Sequence, residues 1–422
     1  MSEPLILALM VGVFIVLAVP LKVPMGVAIA LSALAGALAG GEGLALRHLV
    51  EGAFGFFDII LIIAAAMIFM KVLQESGILD SLVAALLKAF YKNKVFLLLS
   101  VMLLLMFPGM ITGSSLAAVL STGPLVAPVL MKLGLPRLKT AAFVAMGAIL
   151  GMIAPPVNIL VMIMGGGVDM PYAGLTLPLL IIVIPLAVLI ALGLGLKDLK
   201  TVSAAEMKAL LPESAAERYG ARLYLPLILV LVLMVLQNLN VPLVRDLGLP
   251  AVFFIGSVSG LVCGRRFHFF KATQKAVEEA MPILSILAGV GMFIQVMTLT
   301  GARGWAVTTF LSLPPALLYV GIGASLPLFG GVSAYGSASV LGVPFLLALI
   351  NKNAVITSSA LSAIVGIGDL MPPAAMAARF SAQVVGERSF FKVLRYCLVP
   401  ALLLLAMGIG VLLLAPFLDK IL

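Results

Sequence analysis

Residues 107–158 (FPGMITGSSLAAVLSTGPLVAPVLMKLGLPRLKTAAFVAMGAILGMIAPPVN) are apolar enough to lie in lipid, yet residues that end helices interrupt them twice. The first interruption is Thr112-Gly113-Ser114-Ser115, where glycine entropy and hydroxyl competition oppose the helix. The second is Pro155-Pro156, which removes two backbone donors. Inside a bilayer, irregular backbone survives only where protein or a water-filled cavity satisfies it. A twice-broken apolar stretch therefore marks a site, and the remainder of the chain is expected to support it.

That a bilayer is the right solvent follows from composition. The chain of 422 residues is 63% hydrophobic and only 10% charged, whereas a soluble domain is about 25% charged. The apolar runs are long and continuous, without the short alternating strands of a membrane barrel. An all-α polytopic membrane protein is predicted. Crossings of about 20 residues are expected near 4–20, 24–40, 57–77, 140–170, 175–196, 223–239, 249–263, 282–300, 354–388 and 396–416, with the first retained rather than cleaved. Residues 95–131 and 314–350 do not divide into crossings and read as re-entrant hairpins, two half-length helices meeting at a polar tip. Cys263 and Cys397 are isolated, which argues against a disulfide framework or a metal cluster. The net charge of +9 reads as positive-inside bias, not nucleic-acid binding.

The distribution of lysine and arginine tests this topology. With both termini outside and both hairpins returning to their side of entry, most of the 26 basic residues fall on the inner face. Lys208 is among them. Only Arg47, Arg245, Arg303, Lys352 and Lys420 lie outside, and Lys71 and Arg379 lie within the membrane. A full crossing through 95–131 would weaken that asymmetry. A bacterial or archaeal cytoplasmic membrane is the expected location.

Three landmarks recur in order. FMKVLQESG at 69–77 answers to FIQVMTLTG at 293–301, Gly113-Ser114 to Gly336-Ser337, and Pro155-Pro156 to Pro372-Pro373. Five crossings and a hairpin per half would invert the second half. Two inverted repeats are expected, 1–196 and 223–422, joined by a polar linker at 197–222. Broken helices in inverted repeats are an architecture used by secondary transporters. Amphipathic pieces at 42–54 and 264–281 are expected to lie along the interface as arms.

Helix ends at mid-membrane leave polar groups for ions. Candidate cation-binding positions are Thr112, Gly113, Ser114 and Ser115 at the first tip, and Ser333, Gly336 and Ser337 at the second. Ala154, Pro155 and Asn158 mark the first break, and Gly368, Asp369 and Pro372 the second. Ser115, Asn158, Ser337, Ser339 and Arg379 are candidate contacts for a carboxylate substrate. Close helix packing also accounts for small residues, Asp369 could instead cap a half-helix, and Arg379 could snorkel to headgroups. Na⁺ is the expected coupling ion, with no transition metal and no cofactor. The absence of a Walker A loop, an HExxH pair or a GxSxG motif argues against an enzyme. A channel lined by the two hairpins, an H⁺-coupled organic-anion transporter and a non-transporting scaffold remain alternatives.

The motifs MKVLQESGI, GMITGSS, GAILGMIAPPVNILV and IGDLMPPAA, in that order, make the chain resemble the large membrane subunit of TRAP (tripartite ATP-independent periplasmic) transporters. The resemblance implies an elevator mechanism and Na⁺-driven import of a small organic anion. It also implies a small four-helix membrane subunit and a periplasmic substrate-binding protein as partners. Carried over by position, cation sites would involve Ser114, Ser115 and the Pro155 break, with Ser337 and the Pro372 break in the other half. The chain departs from the family at 116–120, which is wholly apolar here.

Overall fold

A computed structural model describes residues 1–200, 207, 211–239, 241–242, 244, 246–349 and 351–421, with the side chain of residue 238 excepted. Lys208, Arg245, Ile350 and parts of the 197–222 linker lie outside the described residues.

The described chain is helical throughout. The first half comprises α1 (Glu3–Ala18), α2 (Met25–Gly40), α3 (Leu46–Phe54), α4 (Phe57–Glu75), α5 (Ile78–Phe90), α6 (Lys94–Thr112), α7 (Ser115–Lys132), α8 (Arg137–Ile153), α9 (Ile159–Gly166) and α10 (Thr176–Gly195). The second comprises α11 (Leu225–Asn238), α12 (Gly248–Cys263), α13 (Phe269–Leu299), α14 (Ala302–Leu311), α15 (Pro315–Gly330), α16 (Ala334–Ala348), α17 (Ala354–Gly366), α18 (Met376–Val384) and α19 (Phe390–Leu418). Among the described residues, 7 helices are long and apolar enough to cross a membrane, and six shorter apolar helices accompany them. Exposed Leu, Val, Ile and Phe on the outer helices, such as Val262 at 78% and Leu231 at 53%, supply a lipid-facing surface. The protein is a multi-pass membrane protein.

Local chemistry explains the interruptions. Asn93 starts α6 by accepting the amides of Val95 at 3.0 Å and Phe96 at 3.3 Å. Gly113 ends α6 with φ of +64°, the left-handed conformation that closes a helix, and a Cβ there would lie 2.5 Å from Ile159 Cγ1. Ser114 then caps α7 by accepting the Ala117 amide. Helices α6 and α7 pack as a hairpin whose tip, residues 112–115, is buried. Its arms of 19 and 18 residues exceed the half-length helices expected, because the apolar runs on both sides of the tip continue to charged ends at Lys94 and Lys132. In the second hairpin, α15 and α16 meet at 331–333, and α16 widens into a π turn at Ala338–Gly342.

The core is formed by the two broken segments. Every residue of α8 from Thr140 to Ile153 is buried, as is every residue of α17 from Ile356 to Gly366. Both double prolines interrupt these segments as expected, and each Pro–Pro bond is cis. Around them pack the hairpins, α10 and α19, while α1, α2, α4, α11, α12 and α13 lie to the other side. The arm expected at 264–281 is not separate. It runs into the next crossing as one helix of 31 residues that continues through Pro282, its Ala, Lys, Gln and Glu being good helix formers.

Candidate functional site

The polar tip of the first hairpin meets the second break. Asp369 sits in a 3-10 turn, Ile367–Leu370, just ahead of Pro372-Pro373. The Ser115 hydroxyl donates to Asp369 Oδ2. Tyr335, from the second hairpin, donates its hydroxyl to the Gly113 carbonyl at 3.2 Å. Three chain segments far apart in sequence thus meet at the first hairpin's tip, beside one carboxylate.

A cavity of about 400 Å³ opens beside it. Its polar end holds Ser114, Ser115, Tyr335 and Asp369. One wall is α7, with Leu116, Ala117, Leu120 and Ser121; the others are Met67, Met70, Lys71 and Gln74 of α4, and Glu279, Pro282, Ile283 and Ile286 of α13. Lys71 Nζ and a Glu279 carboxylate oxygen pair at 2.6 Å across these two helices. The Lys71 side chain is 14% exposed and that of Glu279 53%, so the pair stands where the cavity meets solvent. An ionised carboxylate at the inner end of such a cavity is costly unless protonated, paired or wetted. Ser115 suits either state, since a hydroxyl donates to the ion and accepts from the acid.

The first break is built differently. Asn158 Oδ1 accepts the Val161 amide at 3.1 Å, and its Nδ2 donates to the Ile153 carbonyl at 2.8 Å and to Ser362 Oγ at 3.0 Å. Tyr172 accepts the Asn158 backbone amide at 2.8 Å and donates to the Pro156 carbonyl at 2.9 Å. The Val157 amide donates to the Met110 carbonyl. Ile153 and Pro156 therefore offer carbonyls already engaged by side chains, and Asn158 is fully buried away from the cavity.

The other sequence candidates disperse. Thr112 donates back to the Pro108 carbonyl at 2.7 Å. Ser333 caps the helix that follows it by accepting the Gly336 amide at 3.1 Å, and Ser337 donates to the Leu326 carbonyl at 2.8 Å. Ser339, in the π turn, is buried with no hydrogen-bond partner. Ala154, Pro155, Gly368 and Pro372 shape the two breaks without lining the cavity. Arg379 is exposed, with its guanidinium 5.0 Å from the Phe390 ring centroid, and does not line the cavity. No cluster of three or more His, Cys, Asp or Glu suited to a metal occurs among the described residues.

Residues 3–197 match the model of the Na⁺/H⁺ antiporter family. Over nearly the whole chain the fold is similar to the YdaH transporter of Alcanivorax borkumensis, with a TM-score of 0.66, 16% identity, and coverage of 93% of this chain and 98% of that one. It is also similar to MtrF of Neisseria gonorrhoeae, described as illuminating a class of antimetabolite efflux pumps, with a TM-score of 0.59, 12% identity, and coverage of 87% and 83%. The fold is that of a membrane transporter. No curated protein matches the chain.

These findings overturn the resemblance to TRAP permeases. A glycine–serine tip and a double-proline break serve to interrupt a helix wherever protein or water can satisfy the freed backbone, so the motifs that carried the resemblance do not separate one transporter branch from another. The four-helix subunit and the periplasmic binding protein were implied by that resemblance alone.

Sequence reasoning undervalued Lys71 and did not single out Glu279, Tyr335 or Tyr172. A lysine inside an apolar crossing was the available signal. Its partner lies 208 residues away in a charged segment read as an arm.

Proposed function

We propose that this chain is a secondary active transporter that couples movement of a small, partly apolar organic solute to protons taken up and released at Asp369. The observation carrying this reading is the Asp369–Ser115 contact, placed at a helix break, against a hairpin tip and on a cavity. The volume of about 400 Å³ falls in the range of small-molecule sites, about 300–1,000 Å³, and is far larger than a bare cation needs. Met, Leu, Ile and Pro walls suit an apolar body, and Lys71 suits a carboxylate on it.

In this reading the two halves are inverted repeats. The hairpins and broken helices carry the site past α4 and α13, as in an elevator, across a cytoplasmic membrane. Protonation removes the charge on Asp369 and lets the loaded site leave water; deprotonation on the far side resets it. Na⁺/H⁺ exchange is the second reading, favoured by the family match over 3–197.

Proteoliposomes separate the two. With a pH gradient imposed, uptake or efflux from a panel of labelled small carboxylates should follow the gradient in the wild type and be lost in Asp369→Asn. A Na⁺ jump should leave the pH inside pyranine-loaded vesicles unchanged. Gradient-driven flux retained by Asp369→Asn would reject the assignment, and Na⁺-evoked pH change with no solute dependence would establish the second reading instead.

A further inference from the structure

The geometry points to a binding site for the phosphate headgroup of an anionic phospholipid where the end of the linker meets the end of α12. A second cavity there, of about 1260 Å³, shares no residue with the one beside Asp369. Arg218, Arg222, Arg265 and Arg266 line it, against two carboxylates, Glu213 and Glu217.

Two of the guanidiniums lie beside one ring, and the backbone that carries a third is anchored. Arg218 and Arg222 lie 5.7 Å and 5.5 Å from the centroid of the Tyr219 ring, and the Arg265 amide donates to the Ser76 carbonyl at 3.0 Å. An ion pair that reaches in, Arg265 to Glu213 at 3.8 Å, is long, and the Glu213 side chain is 98% exposed. Arginine forks match phosphate oxygens in pairs. The occupant is a lipid rather than a free phosphate because the cavity has a greasy side. Leu261 and Val262, the latter 78% exposed, continue the lipid-facing surface of α12 down to the arginines. A headgroup seated among the guanidiniums would run its acyl chains along them. The positive-inside pattern puts this cavity on the basic membrane face, where anionic headgroups are recognised by such pockets.

The full-length protein in detergent would be titrated with mixed micelles of dioleoylphosphatidylglycerol, following thermal unfolding and the bound lipid by native mass spectrometry. Phosphatidylglycerol should raise the unfolding midpoint and remain bound, whereas dioleoylphosphatidylcholine and soluble glycerol 3-phosphate should do neither. The variant Arg222→Gln/Arg265→Gln/Arg266→Gln should bind on the order of a hundredfold more weakly, from about fivefold per basic group. Should it fail to fold, the single exposed change Arg266→Gln should still weaken binding about fivefold. Arg388→Gln/Arg395→Gln, exposed arginines that do not line this cavity, should bind like the wild type. Equal stabilisation by phosphatidylcholine, saturation by glycerol 3-phosphate, or undiminished affinity in the arginine variants would each overturn the site.

Discussion

Asp369 has Ser115 as its hydrogen-bond donor, and the nearest basic group on the cavity, Lys71, is engaged by Glu279. Ser115→Ala removes a bond to a charged acceptor, worth about 1.5–3 kcal/mol, and should slow pH-driven transport tenfold or more in proteoliposomes while leaving the unfolding midpoint within a few degrees. Asp369→Asn keeps the shape without the charge. It should unfold at or above the wild-type temperature, since a buried charge opposes folding, even as coupling is lost. Lys71→Gln should weaken binding of a carboxylate solute by about ten- to a hundredfold, read by competition in the same vesicles, and Glu279→Gln should strengthen it, because the carboxylate that competes for Lys71 is gone. Ser115 and Asp369 were each legible as candidates, but their pairing was not. A lone aspartate beside a double proline signals a break, but the serine that meets it lies 254 residues away.

At the scale of elements, the two breaks look alike in sequence and differ in structure. One is closed by Asn158 and Tyr172, the other opens on the cavity at Asp369. Asn158→Ala should therefore cost stability, about 2–3 kcal/mol from a lost cap and an unpaired Ile153 carbonyl, measured by thermal unfolding, with ion dependence unchanged. The far ends of the broken segments are also tied across the halves. Arg303 donates to the Gly167 carbonyl beyond α9, and Arg137 to the Val385 and Gly386 carbonyls beyond α18, where a cation complements the helix end. Packing of α3 on α13 depends on Gly52 and Gly291, since a Cβ on Gly291 would lie 1.9 Å from the Gly52 carbonyl oxygen. Gly291→Leu should destabilise the protein by about 1–3 kcal/mol through that clash. Helices, tips and breaks were readable because lipid permits so few backbone solutions. Which tip served which break was not, because it depends on packing between halves that no local pattern records.

For the molecule as a whole, the cavity lies between α7 on one side and α4 and α13 on the other. Movement of one group past the other is what the elevator reading requires. Met70→Cys with Ala117→Cys, on facing walls of that cavity, should cross-link with a short bifunctional reagent and stop flux, whereas either cysteine alone should transport normally; the native Cys263 and Cys397 are buried. Membrane class and helical architecture followed from composition and run length, while the branch of transporters did not, because tips and prolines answer to lipid rather than to cargo. The asymmetry of the breaks also sets a thermodynamic ceiling. In the proton-coupled reading, one carboxylate, Asp369, serves the two breaks among the described residues, and each cycle would carry a single proton through this point. At zero membrane potential, a neutral solute exchanged or carried one-for-one with it can be concentrated no more than about tenfold per unit of pH difference across the membrane, so a steeper gradient would demand a membrane potential or a second ion.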